Sequence, residues 1–126
     1  MDFDTMRFSK EHEWVQVDDN NIATIGITDY AAGELGDIVY IDFPDEGQEV
    51  KIGEPMGTIE AVKTVADLFA PVSGVVKEVN AAVNDDPALV NQSPYGEGWF
   101  VKIELSDKGE LDALMNKTDY ERMVGK

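Results

Sequence analysis

Apolar and polar positions alternate over short distances through most of the chain. Trp14-Val15-Gln16-Val17 and Ile22-Ala23-Thr24-Ile25 lie on either side of Asp18-Asp19-Asn20-Asn21, a pattern that predicts a hairpin. Asp37-Ile38-Val39-Tyr40-Ile41-Asp42-Phe43 predicts another strand, closed by Pro44-Asp45-Glu46-Gly47. Further strands are expected at Met56–Val62, Val65–Ala70 and Gly74–Asn80. In the last, Trp99–Leu105, the residues Trp99, Val101, Ile103 and Leu105 share one face by period-two alternation. The expected core is Ile25, Ile38, Val39, Ile41, Ile59, Val75, Val79, Trp99, Val101 and Ile103. So many short strands point to a mostly β chain, a sandwich or flattened barrel.

Three helical segments interrupt the strands. Thr28 suits the N-cap of a short helix through Asp29–Leu35, ended near Gly36. Asp107 with Glu110 has the spacing of a capping box ahead of Leu111, Leu114 and Met115, and Thr118 with Glu121 repeats it. Asn84-Asp85-Asp86-Pro87 is able to start a brief helical turn, and Ser93-Pro94-Tyr95-Gly96-Glu97-Gly98 reads as a loop. No low-complexity linker divides the chain, so residues 1–126 are expected to form one domain, with a core of about 7–105 and a helical extension of about 106–126.

Composition narrows the chemistry. The 126 residues are 43% hydrophobic, enough for one core without covalent staples. Cysteine is absent and His12 is the only histidine, which excludes disulfides, thiolate or multi-histidine metal sites and a cysteine nucleophile. Ten basic against 26 acidic residues give a net charge of −16. That charge repels phosphate backbones and anionic lipid, so neither nucleic acid nor a membrane is an expected partner. No apolar run approaches the roughly 20 residues needed to cross a bilayer. The acidic start, Met1-Asp2-Phe3-Asp4-Thr5, lacks the pattern of a signal or transit peptide, and a cytoplasmic protein is expected.

The most unusual segment is Gly57-Thr58-Ile59-Glu60-Ala61-Val62-Lys63-Thr64-Val65-Ala66-Asp67-Leu68. Two strand-like arms meet around Lys63 without an Asn-Gly type of turn, which puts the lysine at or near a hairpin tip. An amine there is solvated and held on a pre-positioned backbone, ready for another enzyme's active site. The plainer alternative is that Lys63 is only a polar tip residue, as most exposed lysines are. Gly47 and Gly74 flank this segment, each after a turn signal at the start of a strand, where glycine tolerates unusual φ values.

This arrangement resembles the biotinyl/lipoyl carrier proteins, in which an acceptor lysine caps a hairpin. Within that group the chain is most similar to the glycine cleavage H proteins. The segments carrying the similarity include Lys10-Glu11-His12-Glu13-Trp14-Val15, Gly26-Ile27-Thr28-Asp29-Tyr30-Ala31 and Leu35-Gly36-Asp37-Ile38-Val39-Tyr40. Glu60-Ala61-Val62-Lys63, Asp67-Leu68-Phe69-Ala70-Pro71-Val72-Ser73-Gly74 and Ser93-Pro94-Tyr95-Gly96-Glu97-Gly98-Trp99 continue it in order. The resemblance implies a barrel-sandwich hybrid with short peripheral helices and a C-terminal helical segment. It also implies lipoate in amide linkage to Lys63, and a carrier rather than an enzyme, with no catalytic residue and no metal ligand of its own. The implied partners are a pyridoxal-phosphate-dependent glycine decarboxylase, a tetrahydrofolate-dependent aminomethyltransferase, a flavin dihydrolipoamide dehydrogenase and a lipoate-attaching enzyme. Transient, sequential partners imply a monomer.

By the same resemblance, Glu13 and Asp67 occupy acidic positions of a cleft that shelters the loaded arm, and Glu60 belongs to the segment read by the attaching enzyme. Each is otherwise an ordinary acid in a chain with 26 of them. His12, between Glu11 and Glu13, is expected to be a packed or hydrogen-bonded structural residue. Ala61 and Thr64 depart from the serine and alanine frequent beside the acceptor, without blocking the amine. A biotin carrier usually has methionine on both sides of the lysine, whereas Val62 and Thr64 stand here. The lipoyl domain of a 2-oxoacid dehydrogenase usually shows Asp-Lys-Ala and then a flexible linker, and Val62 replaces that aspartate. An H-like protein dedicated to lipoyl or octanoyl relay needs the same lysine and remains open at this point. So do a small hydrolase built on His12 and a carboxylate, and a structural adaptor.

Overall fold

A computed structural model describes residues 5–125; the acidic start at residues 1–4 and the terminal lysine lie outside the described residues. Among the described residues, nine strands form two antiparallel sheets. The larger contains β1 (Arg7–Phe8), β2 (Glu13–Val17), β3 (Ile22–Ile27), β9 (Val101–Leu105), β8 (Gly74–Val79) and β5 (Glu49–Val50), in that spatial order. The smaller contains β4 (Ile38–Asp42), β6 (Pro55–Ala61) and β7 (Val65–Phe69). The chain is therefore mostly β, as expected, although among the described residues neither sheet closes into a barrel.

The expected hairpin is β2–β3, with Val15 opposite Ile25 and Val17 opposite Ala23. One apolar cluster draws on both sheets, with Ile25, Val76, Val101 and Ile103 from the larger and Ile41 and Ile59 from the smaller. Period-two alternation holds in β9, where Val101, Ile103 and Leu105 are buried. It fails for Val39, which is 51% exposed. The cause is a bulge: Ile38 pairs with Ala61 and Tyr40 with Glu60, so Val39 is an extra residue without a place in the ladder. Val79 is partly buried and packs against the core, whereas at Val75 it is the neighbouring Val76 that faces the core, after which β8 also slips in register. Trp99 lies outside β9 and packs beside a second cluster of Met6, Phe8, Trp14 and Tyr120.

Local capping chemistry explains the helices. Thr28 accepts a hydrogen bond from the Ala31 amide at the start of α1 (Asp29–Leu35), and Gly36 ends it at φ +79°. Asn80 caps α2 (Ala81–Asp85), and α3 (Ala88–Gln92) follows Pro87. The two expected capping boxes do not form. Asp107 caps a 3-10 turn over Lys108–Ala113 through the Gly109 amide, while Glu110 turns away to accept hydrogen bonds from the Ser73 amide and hydroxyl at 2.7 and 2.8 Å. Asn116, not Thr118, caps α4 (Lys117–Val124) by accepting from the Asp119 amide. Among the described residues, no helix is long and apolar enough to cross a membrane.

The two flanking glycines serve different needs. Gly47 has φ +88° and is a turn glycine. Gly74 is there because β9 comes close: an added Cβ would lie 2.1 Å from the Glu104 carbonyl oxygen and 2.7 Å from Ile103 Cγ2. Gly74→Ala is therefore expected to destabilise the fold by about 1–3 kcal/mol through overpacking. Gly33→Ala in α1, where a methyl group meets nothing within 4 Å, is expected to be stabilising by up to about 1 kcal/mol. Urea unfolding midpoints of the two variants check both signs.

Candidate functional site

The lysine sits where two strands reverse. Strands β6 and β7 pair from Pro55–Phe69 up to Glu60–Val65, and the Ala61 amide then donates to the Thr64 carbonyl at 2.8 Å. Val62 and Lys63 alone span the turn. Among the described residues only His12 and Asn21 are non-glycine residues at positive φ, so both tip residues keep ordinary backbone angles and the turn needs no glycine. Lys63 is exposed, and Val62 is 72% exposed.

The tip is braced from the side. The Val62 amide donates to the Asp37 carbonyl at 3.0 Å. Asn91 of α3 holds the same segment twice: its Nδ2 donates to the Gly36 carbonyl at 2.8 Å and its Oδ1 accepts from the Ile38 amide at 3.0 Å. A Cβ built on Gly36 would stand 3.1 Å from Lys63 Cε, so the glycine leaves room for the lysine methylenes as well as ending α1. These bonds make the hairpin a fixed mount for a mobile side chain. Nothing in the local pattern around Lys63 identifies Asn91, because its role depends on a contact across more than 50 positions.

A groove of about 440 Å³ opens between α1, the start of β2 and the free edge of β7. Leu35, next to Gly36, lines it, as do Tyr30, Ile59, Glu11, Glu13 and Asp67. The two acids singled out from the sequence thus meet in one groove. Glu60 does not line it: paired with Tyr40 on one side and Val65 on the other, it lies exposed on the outer face of the smaller sheet.

Glu13 and Asp67 are chemically unlike. Asp67 is exposed on β7. Glu13 is 2% exposed, and desolvation pushes its carboxyl pKa up to about 8, against hydrogen bonds from Ser9 and the Phe69 backbone that favour the anion. The Ser9 hydroxyl donates to Glu13 Oε1 at 2.6 Å and accepts from the Glu13 amide at 3.0 Å. The groove is therefore lined in part by a buried carboxyl group whose pKa is raised to about 8. Ser9 escaped the sequence reading; it is supplied by the tight β1–β2 connection, where Ser9 and Glu13 pair across His12 at φ +68°.

His12 is structural, as expected. Its Nδ1 hydrogen-bonds Tyr120 Oη at 2.8 Å, and Tyr120 Oη in turn meets Thr28 Oγ1 at 2.7 Å. This chain of contacts ties α4 to the N-cap of α1, while Trp14 Nε1 donates to the Pro94 carbonyl at 2.9 Å and anchors the loop before Trp99.

Comparison with known proteins settles the family. The model of the family described as glycine cleavage H-protein matches residues 6–126. The chain belongs to the glycine cleavage H-protein family. It is 51% identical over 120 residues to the glycine cleavage system H protein of Staphylococcus haemolyticus, covering 95% of this chain and 94% of that one. The glycine cleavage system H protein of Coprothermobacter proteolyticus is 48% identical over 120 residues, with the same coverage. In structure the chain is similar to the glycine cleavage system H protein of Mycobacterium marinum, with a TM-score of 0.90, 34% identity and 98% of each chain covered. Members of this family carry lipoate and act as the carrier component of the glycine cleavage system, not as catalysts. The hydrolase and adaptor alternatives fall away with that membership.

The buried carboxyl makes a pH prediction. An acid whose pKa is raised by folding contributes stability that is complete below about 4.5 and is lost as pH rises through about 8. Glu13→Gln removes the titration, so its stability relative to the parent is expected to rise between pH 5 and pH 8.5. Paired urea titrations at the two pH values measure it; a constant difference contradicts the raised pKa.

Proposed function

We propose that Lys63 is the lipoyl attachment site, joined to lipoate through an amide at Nζ. The observation that carries this reading is an exposed amine on a two-residue tip that is hydrogen-bonded on both flanks. When bound, lipoate supplies a reversible dithiol–disulfide pair, which explains how a chain with no cysteine takes part in thiol chemistry. The residues present fit the group: the amine is accessible, Gly36 leaves room for the lysine methylenes, and a partly apolar groove is lined by the adjacent Leu35 and by Glu13.

In this reading the chain carries the aminomethyl group of glycine from the pyridoxal-phosphate-dependent decarboxylase to the tetrahydrofolate-dependent aminomethyltransferase. It then presents the reduced dithiol to dihydrolipoamide dehydrogenase for reoxidation. Between visits, Glu13 and Asp67 hold the aminomethyl nitrogen. A protonated amine near Glu13 favours the carboxylate and donates a charge-assisted hydrogen bond to it, and the groove walls keep bulk water from the labile carbon. Asp67, already solvated, adds a second negative charge at the groove. A lipoate-attaching enzyme loads Lys63 in the first place. The carrier works as a monomer in the cytoplasm, since each partner must release it before the next binds; the net charge of −16 speeds those encounters and makes them salt-sensitive.

Intact mass spectrometry of protein produced with lipoate supplied tests the site. The native chain is expected to gain one lipoyl group and Lys63→Arg none. Addition to the arginine variant would place the cofactor on another lysine.

A further inference from the structure

The groove near Lys63 has two walls joined at a tethered corner. One is the β1–β2 turn at Glu11, His12 and Glu13, and the other is α1 with Tyr30, Glu34 and Leu35. The Thr28 amide donates to the His12 carbonyl at 3.0 Å and hinges the two. Tyr120 of α4 reaches the same pair of residues, with Oη 2.8 Å from His12 Nδ1 and 2.7 Å from Thr28 Oγ1. Apolar packing fixes its ring, which is 4% exposed and stacks on Phe8 with centroids 4.8 Å apart. The hydroxyl is thus a fixed point that bridges both walls.

The bridge holds whichever way its protons point. An imidazole that accepts at Nδ1 takes the tyrosine proton, and the Thr28 hydroxyl donates to Oη in turn. One that donates from Nδ1 reverses both bonds, and the Thr28 oxygen accepts from the Ala31 amide in either case. Oη is used twice both ways, so the link is a strut and not a proton source. The corner it holds is strained: His12 keeps φ +68°, a left-handed backbone that a non-glycine residue retains only where its surroundings fix it. Its ring packs against Tyr120 and Tyr30, with centroids 5.7 and 5.0 Å away. We propose that the Tyr120 hydroxyl is a positioning group for the loaded arm, on the reading of this groove as the shelter of the aminomethyl group. By clamping the His12 corner to the N-cap of α1, it fixes the neighbouring Glu13 where its carboxylate meets the aminomethyl nitrogen. Tyr120 is not among the residues lining the groove, so it acts through His12 and Thr28. The C-terminal helix, outside both sheets, thereby takes part in protecting the cargo.

The test follows hydrolysis of the loaded arm. Lipoylated protein is loaded with glycine and the decarboxylase, separated from that enzyme and kept without aminomethyltransferase. Water then attacks the aminomethyl carbon, whose C–N and C–S bonds break as a C=O bond forms. The protonated aminomethyl thioether and one water give the thiol, formaldehyde and ammonium, with no oxidant or reductant, and formaldehyde reports the rate. Tyr120→Phe keeps the ring and loses only the hydroxyl, and its release is expected to quicken by about threefold to tenfold, the worth of one net hydrogen bond. Tyr95→Phe, which deletes a hydroxyl that bonds α1 at Asp29, is expected within about twofold of the parent. The deciding readout is a cycle with Glu13→Gln. Because Tyr120 acts by holding Glu13, the double variant is expected to release within about twofold of Glu13→Gln alone. A larger further increase marks a general loss of structure and overturns the proposal, as does release from Tyr120→Phe at the parent rate. Thermal unfolding verifies the folded state, and His12→Phe, which breaks the same link from its other end, carries the same expectations should Tyr120→Phe melt early. Failure of the groove reading is distinguishable: the folded parent then releases formaldehyde as fast as the loaded chain unfolded in urea, and the role of Tyr120 falls with it.

Discussion

Two backbone hydrogen bonds hold the whole arrangement together: Ala61 to Thr64 across the turn, and Val62 to Asp37 from the side. Together they turn a flexible lysine into a side chain with one fixed end. A carrier arm has to visit several sites in turn, and its reach is useful only if its root does not wander. Asn91 extends the same constraint into the helical part of the chain, gripping Gly36 and Ile38 on either side of Asp37. The sandwich beneath keeps β6 in the middle of its sheet, so the hairpin has a partner strand on one side and a braced loop beyond it.

The groove adds an electrostatic element to this mechanical one. Burial, with a smaller push from the Glu11 charge, raises the Glu13 carboxyl, and the hydrogen bonds from Ser9 and Phe69 only partly offset it. The result is an acid poised near neutrality, which changes charge in response to what is placed beside it. Asp67 brings a second, exposed carboxyl group to the same groove. One carboxyl is desolvated and the other is exposed, a division that follows from the fold and not from residue type.

Much of this was legible before any coordinates. The β2–β3 hairpin, β9 and the Lys63 tip follow from alternation and from the absence of a glycine turn, all of them local signals. Thr28 and Gly36 bracket α1 as their chemistry dictates. Apart from the cap of α4, which Asn116 takes in place of Thr118, the errors share a cause, namely a contact distant in sequence. Val39 was expected inside because a bulge is invisible in alternation. Glu110 was expected to cap its own helix, but Ser73 offers it two donors. Gly74 reads as a turn glycine until β9 is seen pressing against it. The Met6–Phe8–Trp14–Tyr120 cluster joins the two ends of the chain, which no local window spans. Among the site residues, the local pattern pointed to Lys63 and the family resemblance to Glu13, Asp67 and Glu60, but only the fold separates the groove pair from the acid on the outer face.

The most direct test of the carrier assignment is glycine-dependent exchange of bicarbonate by purified glycine decarboxylase, with this chain as the only source of dithiolane. The account predicts exchange with lipoylated protein and none with the unmodified chain or with Lys63→Arg. Exchange supported by either of those two, or none from fully lipoylated protein, would contradict it.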